Sequence, residues 1–232
     1  MTCTLPSDVA LETPRVQAVI GAARQTRGFM PDDEGEALLL AALRAGRAAG
    51  AGGNPTFVEI GAWCGKSSLY IGVAAEVTAA VLFSIDHHRG SEENQAGWEH
   101  HEEHLVDPVT GRIDTLLHWR TAISGAGLED SVVGVVGDSP TVAARWGQPI
   151  WFCFIDGGHG EGPAWADFRG WAPHVALGGW LAIHDVFPDP ADGGRPPYEI
   201  YCAALESKEF VNDGGCGSLR VLRRVVAPAT TP

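Results

Sequence analysis

From residue 57 onward, short apolar runs alternate with stretches of helical periodicity, and several of the runs end in an acidic residue. This alternation is the pattern of βαβ units, whose strands lie parallel and are buried on both faces. Strands are expected at Phe57–Gly61, Val81–Asp86, Val132–Gly137, Ile150–Asp156 and Trp180–Asp185, with helices starting near Lys66, Arg112, Pro140, Pro163 and Pro197. Phe210–Asn212 and Gly217–Arg223 read as an antiparallel hairpin at the sheet edge. Upstream, P-R-V-Q-A-V-I-G-A-A-R-Q-T and D-D-E-G-E-A-L-L-L-A-A-L-R-A-G-R carry helical spacing. Asp32 or Asp33, followed by Glu36, supplies a capping signal. The fold class is therefore α/β: one doubly wound sheet, mostly parallel, with an antiparallel C-terminal hairpin and preceding helices. Residues 1–54 form a helical extension, 55–225 the sheet domain with a polar insertion at 87–111, and 226–232 a disordered tail.

Composition narrows the function. With 19% charged and 45% hydrophobic residues the chain is globular rather than disordered. A net charge of −13 argues against a nucleic-acid partner or an anionic membrane surface, both of which demand excess Lys and Arg. Five scattered cysteines, an odd number without C-x-x-C spacing, indicate neither a disulfide framework nor a zinc knuckle. The opening M-T-C-T-L-P-S-D-V-A-L-E lacks a basic region followed by an apolar one, so a soluble, unexported, cytoplasmic protein is expected.

The segment F-V-E-I-G-A-W-C-G-K-S-S, Phe57–Ser68, reads as a buried strand, a glycine turn and a helix start. It is not a phosphate cradle, because the P-loop spacing is one residue longer and Ile60 stands where glycine is required. It is also a poor dinucleotide fingerprint, since Trp63 replaces the glycine that lets a pyrophosphate approach. What remains is E-x-G-x-x-x-G, followed by Asp86 at the end of the next strand, where a carboxylate can accept both hydroxyls of a ribose. The segment resembles motif I of the class I S-adenosylmethionine (SAM)-dependent methyltransferases, particularly catechol O-methyltransferase, whose loop reads G-A-Y-C-G-Y-S against G-A-W-C-G-K-S here. That resemblance implies SAM as cofactor, with Glu59, Gly61 and Gly65 lining its methionine end and Ala62, Trp63 and Ser67 also in the cofactor set. It also implies Asp86 on the ribose, with His87 and His88 beside it, and Asp138 and Ser139 at the adenine. Asp138 or Ser139 before Pro140 equally suits an ordinary helix N-cap.

W-F-C-F-I-D-G-G-H, ending at His159, and G-G-W-L-A-I-H-D-V, ending at Val186, each place an acid after an apolar strand. Adjacent parallel strands bring Asp156 and Asp185 to one edge, where two carboxylates either share a proton or hold a cation. The pattern D-G-x-H, a helix, then G-G-x-L-x-x-H-D-V resembles the metal-dependent O-methyltransferases, including macrocin-type enzymes that methylate sugars on antibiotics. It implies a divalent metal on Asp156, His184 and Asp185, with Asp156 also near the cofactor and His159 in place of the catalytic lysine of the catechol enzyme. Magnesium is the first expectation, and an imidazole ligand admits manganese or iron. Two readings compete with this. Asp156 can simply cap the next helix, and His184 and Asp185 point to opposite faces unless the strand has ended.

The insertion carries H-H-E-E-H at His100, His101 and His104, which departs from the zincin pattern and reads as a solvated polar helix. Trp98 and Trp119 are candidate walls for an acceptor. The resulting expectation is a SAM-dependent, metal-assisted O-methyltransferase acting on a small-molecule hydroxyl, sugar or phenol. The alternatives are a non-methylating SAM- or metal-binding protein and a metal-dependent hydroxylase-like or hydrolytic enzyme. A homo-oligomer, its N-terminal helices covering a neighbour's pocket, is left open.

Overall fold

A computed structural model describes residues 3–4, 13–50, 54–98 and 101–227. Its first helix, α1 (Pro14–Gln25), starts with proline at a position that needs no N–H donor, and Thr13 accepts from the backbone of Val16. In α2 (Asp32–Ala48) the expected cap is not used: Pro31 occupies the N-cap and no side chain closes it. Asp32, Asp33 and Glu34 instead fill the first turn, where the helix dipole favours negative charge. Asp32 pairs with Lys66 and Glu36 with Arg24. Glu34 turns inward and is 5% exposed.

The strands are β1 (Thr56–Ile60), β2 (Val81–Asp86), β3 (Val132–Val136), β4 (Ile150–Ile155), β5 (Val175–Ile183), β6 (Phe210–Cys216) and β7 (Leu219–Arg224). They form one sheet in the order β3-β2-β1-β4-β5-β7-β6. The pairs from β3 across to β5 are parallel, and β7 joins β5 and β6 antiparallel. The remaining helices are α3 (Lys66–Thr78), α4 (Leu116–Gly125), α5 (Ser139–Ala143), α6 (Glu161–Trp171) and α7 (Arg195–Glu206). Strand alternation divides the core. Phe57, Phe152 and Phe154 face a layer built by α1 to α4, with Leu38, Leu39, Leu69 and Tyr70. Val58, Ile60, Ile155 and Ile183 face Trp171, Ile200 and Ala204 on the other side. Each fully buried aromatic or aliphatic side chain contributes about 1.5–3 kcal/mol.

Several boundaries differ from expectation. β5 begins five residues early, at Val175, because Gly178 adopts a φ of +81° and a register shift opposite Ile150 absorbs the irregularity. β6 continues to Cys216 through a bulge between Asn212 and Gly214, where glycine at φ +123° carries the chain. α4 starts at Leu116 rather than Arg112, since the insertion before it is irregular. That insertion holds single 3-10 turns at Glu92–Asn94 and Glu103–Leu105, pinned by Leu105 and Ile113 against Cys64. His101 Nδ1 donates to the Asn94 carbonyl and His104, in a single 3-10 turn, faces Glu102, so the described residues here form no polar helix. His100 lies outside the described residues. Cys3 and Cys216 are joined as a disulfide, which the reading of scattered cysteines without a disulfide framework did not indicate, while Cys64, Cys153 and Cys202 are free. A separation of 213 residues left no local signal of that pairing. Of the tail expected at 226–232, residues 228–232 lie outside the described residues, while Val226 accepts from Arg224 and the Val225 N–H donates to Glu209.

Strand order reverses between β1 and β4, and the crevice at the carboxyl ends of these strands is where doubly wound sheets take ligands. The ladder there extends one residue past each strand. Gly61 donates to Ile85 (3.0 Å), Asp156 to Ile60 (2.9 Å) and His184 to Ile155 (3.1 Å). These bonds align the residues that follow the strands along one rim.

Candidate active site

At the β1–α3 turn, Gly61 has φ +83° and Gly65, the N-cap of α3, has φ +99°. A side chain at Gly61 would lie 2.6 Å from the carbonyl carbon of Asp156, so the glycine permits the β1 and β4 loops to touch. The N–H groups of Ala62 and Trp63 both donate to Asp86 Oδ2 at 2.9 Å, and the His88 N–H donates to Oδ1 at 2.7 Å. The loop donors are thus already spent on a carboxylate, which explains physically why this is no phosphate cradle. Oδ2 thus accepts two donors, and Oδ1, which accepts one, retains a lone pair for a further donor. His87 is exposed beside it, 3.9 Å from Oδ1. His88 is buried against Thr115 at 2.8 Å, and burial lowers its pKa.

Four residues of the expected cofactor set bond to protein partners. Glu59, on the α3 side of β1, is 0% exposed and accepts from Ser68 (2.5 Å) and Ser84 (2.6 Å), one layer beneath the rim. Ser67 is buried beside the same carboxyl. Burial pushes Glu59 up to about 7. Asp138 caps α5 by accepting from Thr141, as the alternative reading had it. Ser139 donates to Asp167 (2.5 Å) and accepts from Trp171 (2.8 Å). Trp119 is core, its Nε1 donating to Ser68, and forms no acceptor wall; Trp98 is 52% exposed.

At the other half of the rim, β5 ends at Ile183, and Asp185 takes a left-handed φ of +55°. That turn resolves the strand-parity conflict. His184 keeps the α2-facing side of β5, and the backbone swings Asp185 around so that both side chains reach Asp156. A positive φ on a non-glycine residue is costly and concentrates at functional sites. Ligand atoms of Asp156, His184 and Asp185 all lie within 4.8 Å of one another. His184 Nδ1 is 3.1 Å from Asp156 Oδ1 and 3.3 Å from Asp185 Oδ2. His159 Nε2 lies 3.0 Å from Asp185, and its Nδ1 lies 3.3 Å from Glu93 of the insertion.

The charges are mutually compensating. Burial alone would lower the pKa of His159, but Asp156, Asp185 and Glu93 outweigh it and hold the ring up to about 12. His184 is likewise buried yet raised well above an ordinary imidazole by Asp156, Asp185 and Glu34. Burial opposes the charge on Asp185, and the two histidines overcome it, leaving this carboxyl well below its usual range. Two carboxylates and an imidazole aimed at one point form a donor set suited to a divalent cation. Without a cation, the two imidazolium rings supply the positive charge.

A family profile described as a methyltransferase domain matches residues 58–186, more than half of the chain. The chain belongs to this family. The fold of this methyltransferase domain recurs in solved structures. An O-methyltransferase from Bacillus cereus, in complex with SAH, is 16% identical over 94% of both chains with a TM-score of 0.59. The O-methyltransferase NovP is 16% identical over 81% of this chain and 79% of its own, with a TM-score of 0.59. Cofactor-bound Rv0187 from MTB is 15% identical over 94% and 93%, with a TM-score of 0.57. No helix among the described residues of the methyltransferase is long and apolar enough to cross a membrane. Both Glu34 and Ser218, which touch the rim through His184, lie outside the matched segment. Sequence reading missed them, because an acid in a first helical turn and a serine in a hairpin turn look like ordinary local chemistry.

Proposed function

We propose that this methyltransferase transfers a methyl group to a hydroxyl oxygen of a small molecule, a sugar or a phenol, with help from a divalent cation at Asp156, His184 and Asp185. The convergence of these three donors at the rim that also carries Asp86 supports the reading. SAM contributes the methyl group, activated on a sulfonium. A divalent cation contributes Lewis acidity that lowers the pKa of the acceptor hydroxyl and orients it.

The chain's own residues do the rest. Asp86 Oδ1 accepts a hydrogen bond from the ribose while the loop N–H groups hold its carboxylate still. Gly61 and Gly65 keep the loop open at the methionine end, as the resemblance implies. The rim fixes the in-line approach of acceptor oxygen to methyl carbon, an effect that can supply about 7–11 kcal/mol of the barrier. His159 then accepts the hydroxyl proton as the oxygen–carbon bond forms and the carbon–sulfur bond breaks. In the arrangement described above His159 is already protonated, because Asp156 and Asp185 hold its proton. Were these carboxylates to hold a cation, Glu93 alone of the three would still favour the charged ring, and its pKa would fall toward the ordinary imidazole range, where it can act as a base. The same proposal takes a small molecule rather than nucleic acid as the partner.

The test is turnover with and without chelator. EDTA, Asp156→Ala and Asp185→Ala are each expected to abolish methyl transfer while calorimetric SAH binding persists. Full activity in excess EDTA would remove the cation from the mechanism.

A further inference from the structure

Glu34 sits in the first turn of α2, is nearly fully buried, and belongs to neither half of the site described so far. A buried carboxylate is retained only where donors meet it. Here three do. The Ser218 N–H reaches Oε1 at 2.7 Å, the Ser218 hydroxyl reaches Oε2 at 2.9 Å, and His184 Nε2 lies 2.7 Å from Oε2. The β6–β7 turn closes directly on this group: a side chain at Gly217, φ +53°, would lie 2.7 Å from the Glu34 carboxyl carbon. The N-terminal helix and the C-terminal hairpin thus meet around one carboxylate whose remaining contact is the histidine of the rim.

Ionised Glu34 can only accept, and both Ser218 groups already donate to it, so the bridging proton resides on His184. That puts N–H on Nε2 and leaves Nδ1 directed at Asp156 and Asp185, 3.1 and 3.3 Å away. Histidines that ligate metals commonly donate the other ring N–H to a carboxylate, which sets tautomer and ring orientation. We propose that Glu34 is a positioning residue: it keeps the proton on Nε2 of His184 and thereby reserves Nδ1 for the cation held by Asp156 and Asp185. The ligand half of this inference rests on the proposed metal role, whereas the proton placement does not.

Glu34→Gln is the discriminating variant because it is isosteric. The glutamine carbonyl can take the place of Oε1 and accept from the Ser218 N–H. Its amide then stands at Oε2 and donates to His184 Nε2, which must give up its proton. Two-bond nitrogen–proton NMR of the ring is expected to show Nε2 protonated in wild type, with and without Mg²⁺, and bare in Glu34→Gln. Calorimetric titration with Mn²⁺ is expected to show roughly 10–100-fold weaker binding in the variant, with SAH affinity unchanged. A wild-type ring with bare Nε2 overturns the proposal without any variant, and so does a protonated Nε2 in folded Glu34→Gln. Mn²⁺ affinity within twofold of wild type in the variant overturns the ligand half. Wild-type protein that takes up no Mn²⁺ would instead refute the metal reading, and the ring signal would still decide whether Glu34 places the proton.

Discussion

Gly61 and Gly50 share a positive φ and differ in what surrounds them, which makes them an informative pair. Their φ values are +83° and +84°. A side chain at Gly50 meets nothing within 4 Å, whereas one at Gly61 lies 2.6 Å from the Asp156 carbonyl carbon and 2.9 Å from Gly157 Cα. Alanine at either position incurs the left-handed cost of about 1–2 kcal/mol. At Gly61 alone it must also push the β4–α6 turn back by roughly 1 Å to reach ordinary carbon–carbon contact of about 3.5 Å, at about 1–3 kcal/mol for overpacking. For a chain of this size each kcal/mol shifts Tm by about 2–4 °C. Gly50→Ala is therefore expected to lower Tm by roughly 2–8 °C, and Gly61→Ala by roughly 2–12 °C more. The displaced residue is Asp156, and metal–ligand distances tolerate only about 0.2 Å. Gly61→Ala should accordingly lose Mn²⁺ binding, while Gly50→Ala keeps it. The assays are thermal melts and calorimetry on the two variants side by side. Equal Tm shifts together with undiminished Mn²⁺ affinity in Gly61→Ala would show that contact between the two loops does not set the position of Asp156.

Asp86→Ala leaves the N–H groups of Ala62, Trp63 and His88 without their acceptor. It is expected to cost about 1–3 kcal/mol of stability and to weaken SAH binding at least tenfold by calorimetry; unchanged affinity would remove Asp86 from the cofactor site. In metal-free protein the pH dependence has a definite sign. His159 and His184 hold folded-state pKa values above the unfolded value of 6.5, so the folded state keeps protons that the unfolded state has released. Their stabilisation is complete below pH 6.5 and declines as pH rises toward the folded value, about 12 for His159. Buried His88, shifted downward, acts in the opposite sense only at and below the ordinary imidazole range. Melts in EDTA are expected to show Tm falling between pH 7 and pH 9, and added Mg²⁺ should flatten the decline. A Tm that rises over that range would contradict the ion-pair assignment.

The legibility of each feature followed from its range along the chain. Alternating apolar runs reported β1 to β5 because burial on both faces is a local compositional demand. The acids at positions 86, 156 and 185 were visible because they end those runs. The starts of β5 and α4 were misplaced where glycine bulges and an irregular insertion override propensity. Glu59 carries the motif that identified the loop, yet strand parity points it into the core, where burial holds its proton near neutrality. Asp138 and Ser139 read as both cap and cofactor contact, roles that can coexist, and their side chains cap α5 and bond Asp167.

The order of residues along the chain alone determined a doubly wound sheet, a glycine turn unsuited to phosphate, and acids gathered at one rim, since each is encoded by neighbours in sequence. Whether His184 and Asp185 could act together was decided only by tertiary structure, through the left-handed φ at Asp185. The same holds for the carboxylate behind His184. Glu34 comes from a helix 150 residues upstream and Ser218 from the closing hairpin, and only the packing of both against β5 brings them to one imidazole.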